Sequence, residues 1–162
     1  NLSAIRDPIE SIKKHFLDSL SIVNFIQPGL LLDVGSGAGL PGIVIAIMKP
    51  KTQVFTIDSV GKKCHFMQTT KTELSLENLT VVNNRVENFN YEEPFQQIVS
   101  RAFSSGIDTI EKTRHLISSN GSYLLMKGDN IEQENLHNFS SIIHSLKVPF
   151  VSDKRSLLEI NI

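Results

Sequence analysis

Apolar residues change their spacing along this chain, and each change marks a new element. From Pro8 to Phe25 they recur mostly three or four apart, at Ile9, Ile12, Phe16, Leu17, Leu20, Val23 and Phe25, which is one side of a helix. Asp7 is placed to cap that helix, Pro8 to take its first position and Glu10 to complete a capping box, while Pro28-Gly29 ends it. Short continuous apolar runs then replace the helical spacing. They predict strands at Leu30–Val34, Val54–Asp58, Leu79–Asn83, Gln97–Ser100 and Ser122–Lys127. Between them, helices are predicted at Pro41–Met48, at Gly61–Leu74 with Phe66, Met67, Thr70 and Leu74 inward, and at Ile107–Ile117, ended by Asn120-Gly121. A polar segment, Gly128–Asn135, leads into a helix expected to end near Leu146. Two final strands, Val148–Val151 and Leu157–Ile160, flank the turn Ser152-Asp153-Lys154-Arg155.

Strands alternating with helices imply an α/β fold with a mostly parallel sheet covered on both faces. The last two strands have no helix between them, so they are expected to add an antiparallel strand near the C-terminus. One domain is expected over 1–162, with an N-terminal helical part at 1–28 and a Rossmann-like core at 29–162. At 162 residues the chain can bury such a core without staples.

Composition sharpens this picture in a few places. The single cysteine, Cys64, cannot form an internal disulfide and suits a reducing compartment; it reads as a small helix residue rather than a nucleophile. The longest apolar run, Ile43 to Met48, is far too short to cross a bilayer. No basic, then apolar, then small-residue start is visible, so a cytoplasmic location is expected. A net charge of −1 argues against coating nucleic acid through overall charge and leaves room for a local basic face.

The chemistry centres on Asp33-Val34-Gly35-Ser36-Gly37-Ala38-Gly39, which leaves a strand and opens a helix. Glycine at 35, 37 and 39 permits unusual backbone angles and close approach of a ligand. The dinucleotide fingerprint G-x-G-x-x-G would require glycine at position 40, where the chain has Leu40. Asp33 also suits NAD poorly, because a carboxylate would crowd a pyrophosphate at the helix N-terminus. It suits a cofactor with a cationic amino-acid end. S-adenosylmethionine is such a cofactor, and Asp58, at the end of the next strand, is placed to accept both ribose hydroxyls.

In open α/β sheets, ligands sit beyond the carboxyl ends of the strands. Those ends carry Asp33, Asp58, Asn83 to Glu87, Arg101 and Lys127. Asn84 to Glu87 either holds an adenine by backbone groups over Val86 or forms a polar loop. Arg101 either binds a carboxylate or phosphate bidentately or pairs with Asp33 or Glu87. Lys127 either meets a substrate phosphate or is a solvated strand terminus. Lys62-Lys63 either faces an anionic partner or forms a solvated basic face. His15 and Asp18 can touch on the first helix, but no third ligand stands at metal spacing, so no metal is expected. No Asp/Asn-Pro-Pro-aromatic motif follows the fourth strand, no cysteine ends a strand and no phosphate-binding G-x-x-x-x-G-K-[ST] loop is present.

The run Leu32 to Ile43, with its extension Leu40-Pro41-Gly42, resembles the glycine-loop signature of the RsmG (GidB) family. Asn1 to Pro8, His15-Phe16-Leu17-Asp18-Ser19, Asp58 to Lys63, Asn84 to Glu87, Ser100 to Phe103 and Lys127-Gly128 follow in the family's order and spacing. Ser36 and Ala38 stand where relatives often have Thr and Pro, and an N-terminal extension common in the family is expected to be missing. The resemblance implies a class I S-adenosylmethionine-dependent methyltransferase that modifies N7 of a guanine in small-subunit (16S) ribosomal RNA. It implies cofactor contacts at Gly35, Leu40, Val86, Glu87 and Arg101, with Asp58 on the ribose and S-adenosylhomocysteine as product; Asp33, Gly37, Gly39 and Ser59 are expected to complete the cofactor site. Expected RNA contacts are Arg6, His15, Lys62, Lys63, Arg101 and Lys127, in a monomer acting on ribosomal RNA or a ribosomal particle with no membrane or metal. Guanine N7 already carries a lone pair, so no catalytic general base is expected. A small-molecule methyltransferase would instead need an enclosed apolar pocket over the cofactor, a non-catalytic module would take up no cofactor, and Leu40 with Asp33 disfavours a nicotinamide oxidoreductase.

Overall fold

The computed structural model describes residues 7–128 and 139–162. Its strands are β1 (Gly29–Val34), β2 (Thr52–Asp58), β3 (Leu79–Asn83), β4 (Phe95–Arg101), β5 (Ile117–Lys127), β6 (Ser140–Leu146) and β7 (Arg155–Asn161). They form one seven-stranded sheet in the order β3-β2-β1-β4-β5-β7-β6. All pairs from β3 to β5 are parallel, and β7 runs antiparallel to both β5 and β6. The mostly parallel sheet with an antiparallel strand near the C-terminus is therefore present.

Alternation of side chains along the strands builds two cores, one on each face. Leu31, Val54, Val99, Leu124, Met126 and Leu157 face Ile43, Ile45, Cys64 and Met67 on one side. Their neighbours Leu32, Phe55, Ile57, Ile98, Tyr123, Leu125 and Leu158 face Ile110 and Leu116 on the other. The first face thus carries α3 (Gly42–Met48) and α4 (Gly61–Glu73), and the second carries α5 (Gly106–Thr113). Val44 turns away from the sheet to pack with Val23 and Leu40, so α3 lies between the sheet and the N-terminal segment.

That N-terminal segment departs from the single helix expected over Pro8 to Phe25. It runs as α1 (Pro8–Ser11), a π-helical stretch Ile12–Leu17, α2 (Asp18–Leu20) and a 3₁₀ turn Val23–Phe25. A π turn adds a residue and so rotates the residues after it about the helix axis. Asp18 and Ser19 are buried as a result, while Ile9, Ile12 and Phe16 stay exposed. Asp7 does cap the segment, taking the Ile9 N–H at 2.8 Å. Glu10 pairs with Lys13 and Lys14 at 3.2 and 3.5 Å instead of closing a capping box.

Other boundaries also differ. In α4 the buried residues are Cys64 and Met67, whereas Phe66 and Leu74 are exposed. The α5 helix is capped by Ser105 and stops at Thr113, and β5 already begins at Ile117 and runs through Asn120-Gly121. Gly121 lies where the β4–β5 register jumps between Phe95 and Gln97; a Cβ there would meet Ile117 at 2.6 Å. The expected helix ending near Leu146 is strand β6, and Val148–Val151 is not a strand. Ile142 and Ile143 are adjacent β-branched residues on an edge strand, so neither alternation nor helical spacing marks them. They are 50% and 53% exposed. Positions 129 to 135 of the expected polar segment lie outside the described residues.

Candidate functional site

Chain order reverses at β1, which sits between β2 and β4. In such sheets the crevice for a ligand opens at the carboxyl end of that strand. Here β1 ends at Val34 and the glycine loop folds back over β2. The Gly35 and Ser36 amides donate to the Ile57 carbonyl at 3.0 and 3.2 Å, and the Gly37 amide donates to Asp58 Oδ2 at 3.0 Å. Gly35, Gly37 and Gly39 all adopt positive φ, at 67°, 60° and 86°. Gly35 is doubly constrained, because a Cβ would sit 2.5 Å from the Phe103 ring. Leu40 is buried with Val23 and Val44, which pins the end of the loop between α3 and the N-terminal segment.

The two aspartates at the strand ends occupy different environments. Asp33 is 0% exposed, and its Oδ2 accepts the Gly42 N–H at 2.9 Å, at the start of α3. Burial pushes its carboxyl up to about 7, against the pull of the Gly42 amide. It does not line the cavity outside the loop, so its direct role is to hold α3 and the loop to β1. Asp58 does line that cavity. Its Oδ1 accepts the Val60 N–H at 2.9 Å, and Lys63 Nζ approaches Oδ2 at 3.2 Å. Cys64 is buried behind it, with Sγ 3.2 Å from the Asp58 carbonyl; burial raises the thiol's pKa.

The cavity has a volume of about 320 Å³, in the range of small-molecule sites. Of the residues singled out in the sequence, Gly35, Asp58, Ser59, Lys63, Val86 and Glu87 line it. Gly37, Gly39 and Leu40 shape the loop behind it. Val86 is buried at the start of a 3₁₀ turn and forms the floor opposite the loop. Sequence reasoning missed Val60, Phe103 and Lys112 in the lining; Lys112 Nζ lies 5.5 Å from the Phe103 ring centre. No spacing rule connects them, since Phe103 and Lys112 arrive from β4's exit and α5.

Arg101 lies in a second cavity, of about 490 Å³, together with His15 and Lys127. Ala102 lines both cavities and has a φ of 54°, a strained value for a residue with a side chain. Arg101 pairs with Asp18 at 3.6 Å, not with Asp33 or Glu87. Arg155, which sequence reasoning left in a turn, reaches the same carboxylate at 3.3 Å. Burial lowers the His15 pKa, and the Arg101 charge lowers it further. Burial raises the Asp18 pKa, and the two arginines oppose that rise. Lys127 Nζ donates to the Ser104 carbonyl at 3.1 Å. Lys62 is exposed on α4 and lines neither cavity. Arg6 lies outside the described residues. Among the described residues, no cluster of His, Cys, Asp and Glu is arranged to hold a metal, and no helix is long and apolar enough to cross a membrane.

A family model, GidB, described as rRNA small subunit methyltransferase G, matches residues 1–158. The chain belongs to this family. It is 54% identical over 158 residues to the ribosomal RNA small subunit methyltransferase G of Ruthia magnifica, a match covering 98% of this chain and 77% of that protein. The namesake from Francisella tularensis subsp. novicida is 42% identical over 161 residues, covering 98% and 77%. Membership in the GidB family makes the protein a methyltransferase. Its fold is shared with an S-adenosylmethionine-dependent methyltransferase from Aquifex aeolicus, at a TM-score of 0.70, 14% identity and coverage of 96% and 94%. A putative S-adenosylmethionine-dependent methyltransferase from Methanococcus maripaludis aligns with a TM-score of 0.69, 18% identity and coverage of 94% and 89%. The GidB chain thus has a class I methyltransferase fold.

Proposed function

We propose that this protein transfers a methyl group from S-adenosylmethionine to N7 of a guanine in small-subunit (16S) ribosomal RNA. The observation that carries this reading is the pair of adjoining cavities at the carboxyl edge of the sheet. One is closed by a glycine loop and a carboxylate, and the other is lined by arginines and lysines. The residues of the first fit the cofactor. Gly35 lines it without a side chain, Asp58 and Ser59 offer acceptors at the end of β2, and Val86 adds an apolar surface with Glu87 beside it. Asp33, Gly37, Gly39 and Leu40 hold the loop, and Arg101 stands across Ala102.

When bound there, the cofactor supplies an electrophilic methyl group and leaves as S-adenosylhomocysteine. Guanine N7 needs no proton removed before it attacks, so this reading assigns no general base. The protein's contribution is orientation: holding N7 and the methyl carbon in line and excluding water from both. Arg6, His15, Lys62, Lys63, Arg101 and Lys127 would hold the RNA, as a single-stranded loop or an open junction in the ribosomal particle. Lys14, Arg101, Lys127 and Arg155 around the second cavity support a polyanionic, nucleic-acid substrate. We take the protein to be one domain, with 1–28 as helical part and 29–162 as core, acting as a cytoplasmic monomer.

The test is methyl incorporation into small-subunit RNA from a strain lacking this modification, followed by mapping of the modified base. Incorporation at a guanine N7 is expected. No incorporation with cofactor binding intact would overturn the RNA assignment.

A further inference from the structure

The second cavity contains an arrangement that the methyl-transfer chemistry does not use. Asp18, Arg101 and Arg155 come from α2, the end of β4 and the start of β7, and they meet in its wall. Asp18 Oδ2 lies 3.6 Å from Arg101 Nη1, and Oδ1 lies 3.3 Å from Arg155 Nε. The Asp18 side chain is only 7% exposed, whereas each arginine side chain is 22% exposed. Oδ1 is enclosed by protein atoms. A ligand in the cavity therefore meets more of the guanidinium groups than of the carboxylate, which also lines it. Two guanidinium groups side by side repel one another, and a buried carboxylate between them removes that repulsion. Asp153 also pairs with Arg155, so the two arginines are balanced by two carboxylates, and Lys14 and Lys127 in the same lining give the cavity its net positive charge. Each guanidinium has five donors in a planar fork, and Asp18 stands against one nitrogen of each as an ion pair. Arg155 uses other donors on the Lys154 carbonyl at 3.0 Å and on Asp153 at 3.5 Å, contacts on exposed residues of its own turn.

We propose that Asp18 is a positioning residue that holds Arg101 and Arg155 as a paired site for an RNA phosphate next to the acceptor guanine. This rests on the ribosomal RNA reading, which already includes Arg101, and extends it to Asp18 and Arg155. A planar bidentate donor pair matches a phosphate's oxygens. The site opens beside Ala102, the residue common to both cavities. A phosphate held there places its own nucleotide's base within reach of the first cavity.

The test uses methylation kinetics on small-subunit particles from a strain lacking the modification, at several salt concentrations, with cofactor affinity measured separately by calorimetry. Arg155→Gln is expected to raise KM for the particle about tenfold or more, the loss of one charge-assisted contact. It should also reduce the slope of log KM against log salt by about 0.7 to 0.9. Arg155→Lys should keep the salt slope and recover only part of the KM. Asp18→Asn should raise KM by a factor similar to Arg155→Gln, with cofactor affinity within about twofold of wild type and partial recovery in Asp18→Glu. A folded Arg155→Gln protein with wild-type KM and salt slope overturns the proposal. So does an Asp18→Asn protein whose cofactor affinity falls as far as its KM rises, since that marks general structural support. Failure of the wild-type protein to methylate the particle is a different result; it removes the ribosomal RNA reading and this inference together.

Discussion

The two cavities share a wall and differ in how they are built. The first is assembled from segments that are short and local: the glycine loop, the end of β2 with its following turn, and Asn84 to Glu87. Its loop closes on β2 through backbone amides, and Phe103 and Lys112 complete the lining from the end of β4 and from α5. The second joins α2, β4, β5, β6 and β7, and depends on one buried carboxylate to hold two arginines. A site of the first kind is set by backbone conformation, and one of the second kind by charge balance across distant elements. The two should therefore fail in different ways.

The largest effect is expected from Gly35→Ala. A side chain there combines a positive φ with a contact 2.5 Å from the Phe103 ring. Left-handed backbone costs roughly 1–2 kcal/mol, and the displaced ring adds a similar amount, so a loss of about 2–4 kcal/mol is expected by denaturant unfolding. Cofactor affinity should fall with it, while a retained stability would mean that Phe103 yields easily. Asp58→Ala comes next. It removes the acceptor for the Gly37 and Val60 amides as well as a carboxylate facing the cavity. Calorimetry should show cofactor affinity down about tenfold or more. Unchanged affinity would remove Asp58 from the ribose role.

The same contrast explains what could be read from the chain. Each strand of the parallel half carries a short apolar stretch, such as Leu30-Leu31-Leu32, Ile98-Val99 or Leu124-Leu125-Met126, and the glycine spacing itself requires the turn that Gly35 to Gly39 makes. The loop and Asp58 were therefore visible one segment at a time. Arg155 was not, because nothing near it in the chain points to Asp18; only the antiparallel seat of β7 beside β5 brings it there. The strand at Ser140–Leu146 was hidden for a related reason: it pairs with a single neighbour and buries little, so its pattern carries no period. Asp33 shows a subtler gap. Its position at a strand end was legible, but its orientation toward Gly42, away from the cavity, depends on where α3 begins.

A smaller effect separates Asp33 from Asp58 by pH. The Asp33 carboxyl titrates at 3.8 when unperturbed and at about 7 in the fold, because burial disfavours its charge. Between those values the folded state keeps a proton that the unfolded chain has released, so stability falls as pH rises through this window. Asp18, also raised by burial, contributes in the same direction. Comparing wild type with Asp33→Asn isolates the Asp33 share: the variant's stability should decline less between about pH 4 and pH 7, measured by denaturant unfolding at each pH. Parallel pH profiles for the two proteins would mean that Asp33 stays ionised in the fold.

The smallest effect tests the register of the second region. His144 Nε2 lies 2.7 Å from Glu159 Oε2 across β6 and β7, and both side chains are partly buried. Pairing puts His144 opposite Leu157 and Ile142 opposite Glu159, so the two meet on a diagonal that exists only if Ser140–Leu146 is a strand. A double-mutant cycle of His144→Ala and Glu159→Ala should give a coupling of about 0.2–1 kcal/mol. A helix over the same residues would separate the pair and bring the coupling to zero. Because β7 also carries Arg155, a measured coupling fixes the strand that delivers that arginine to Asp18.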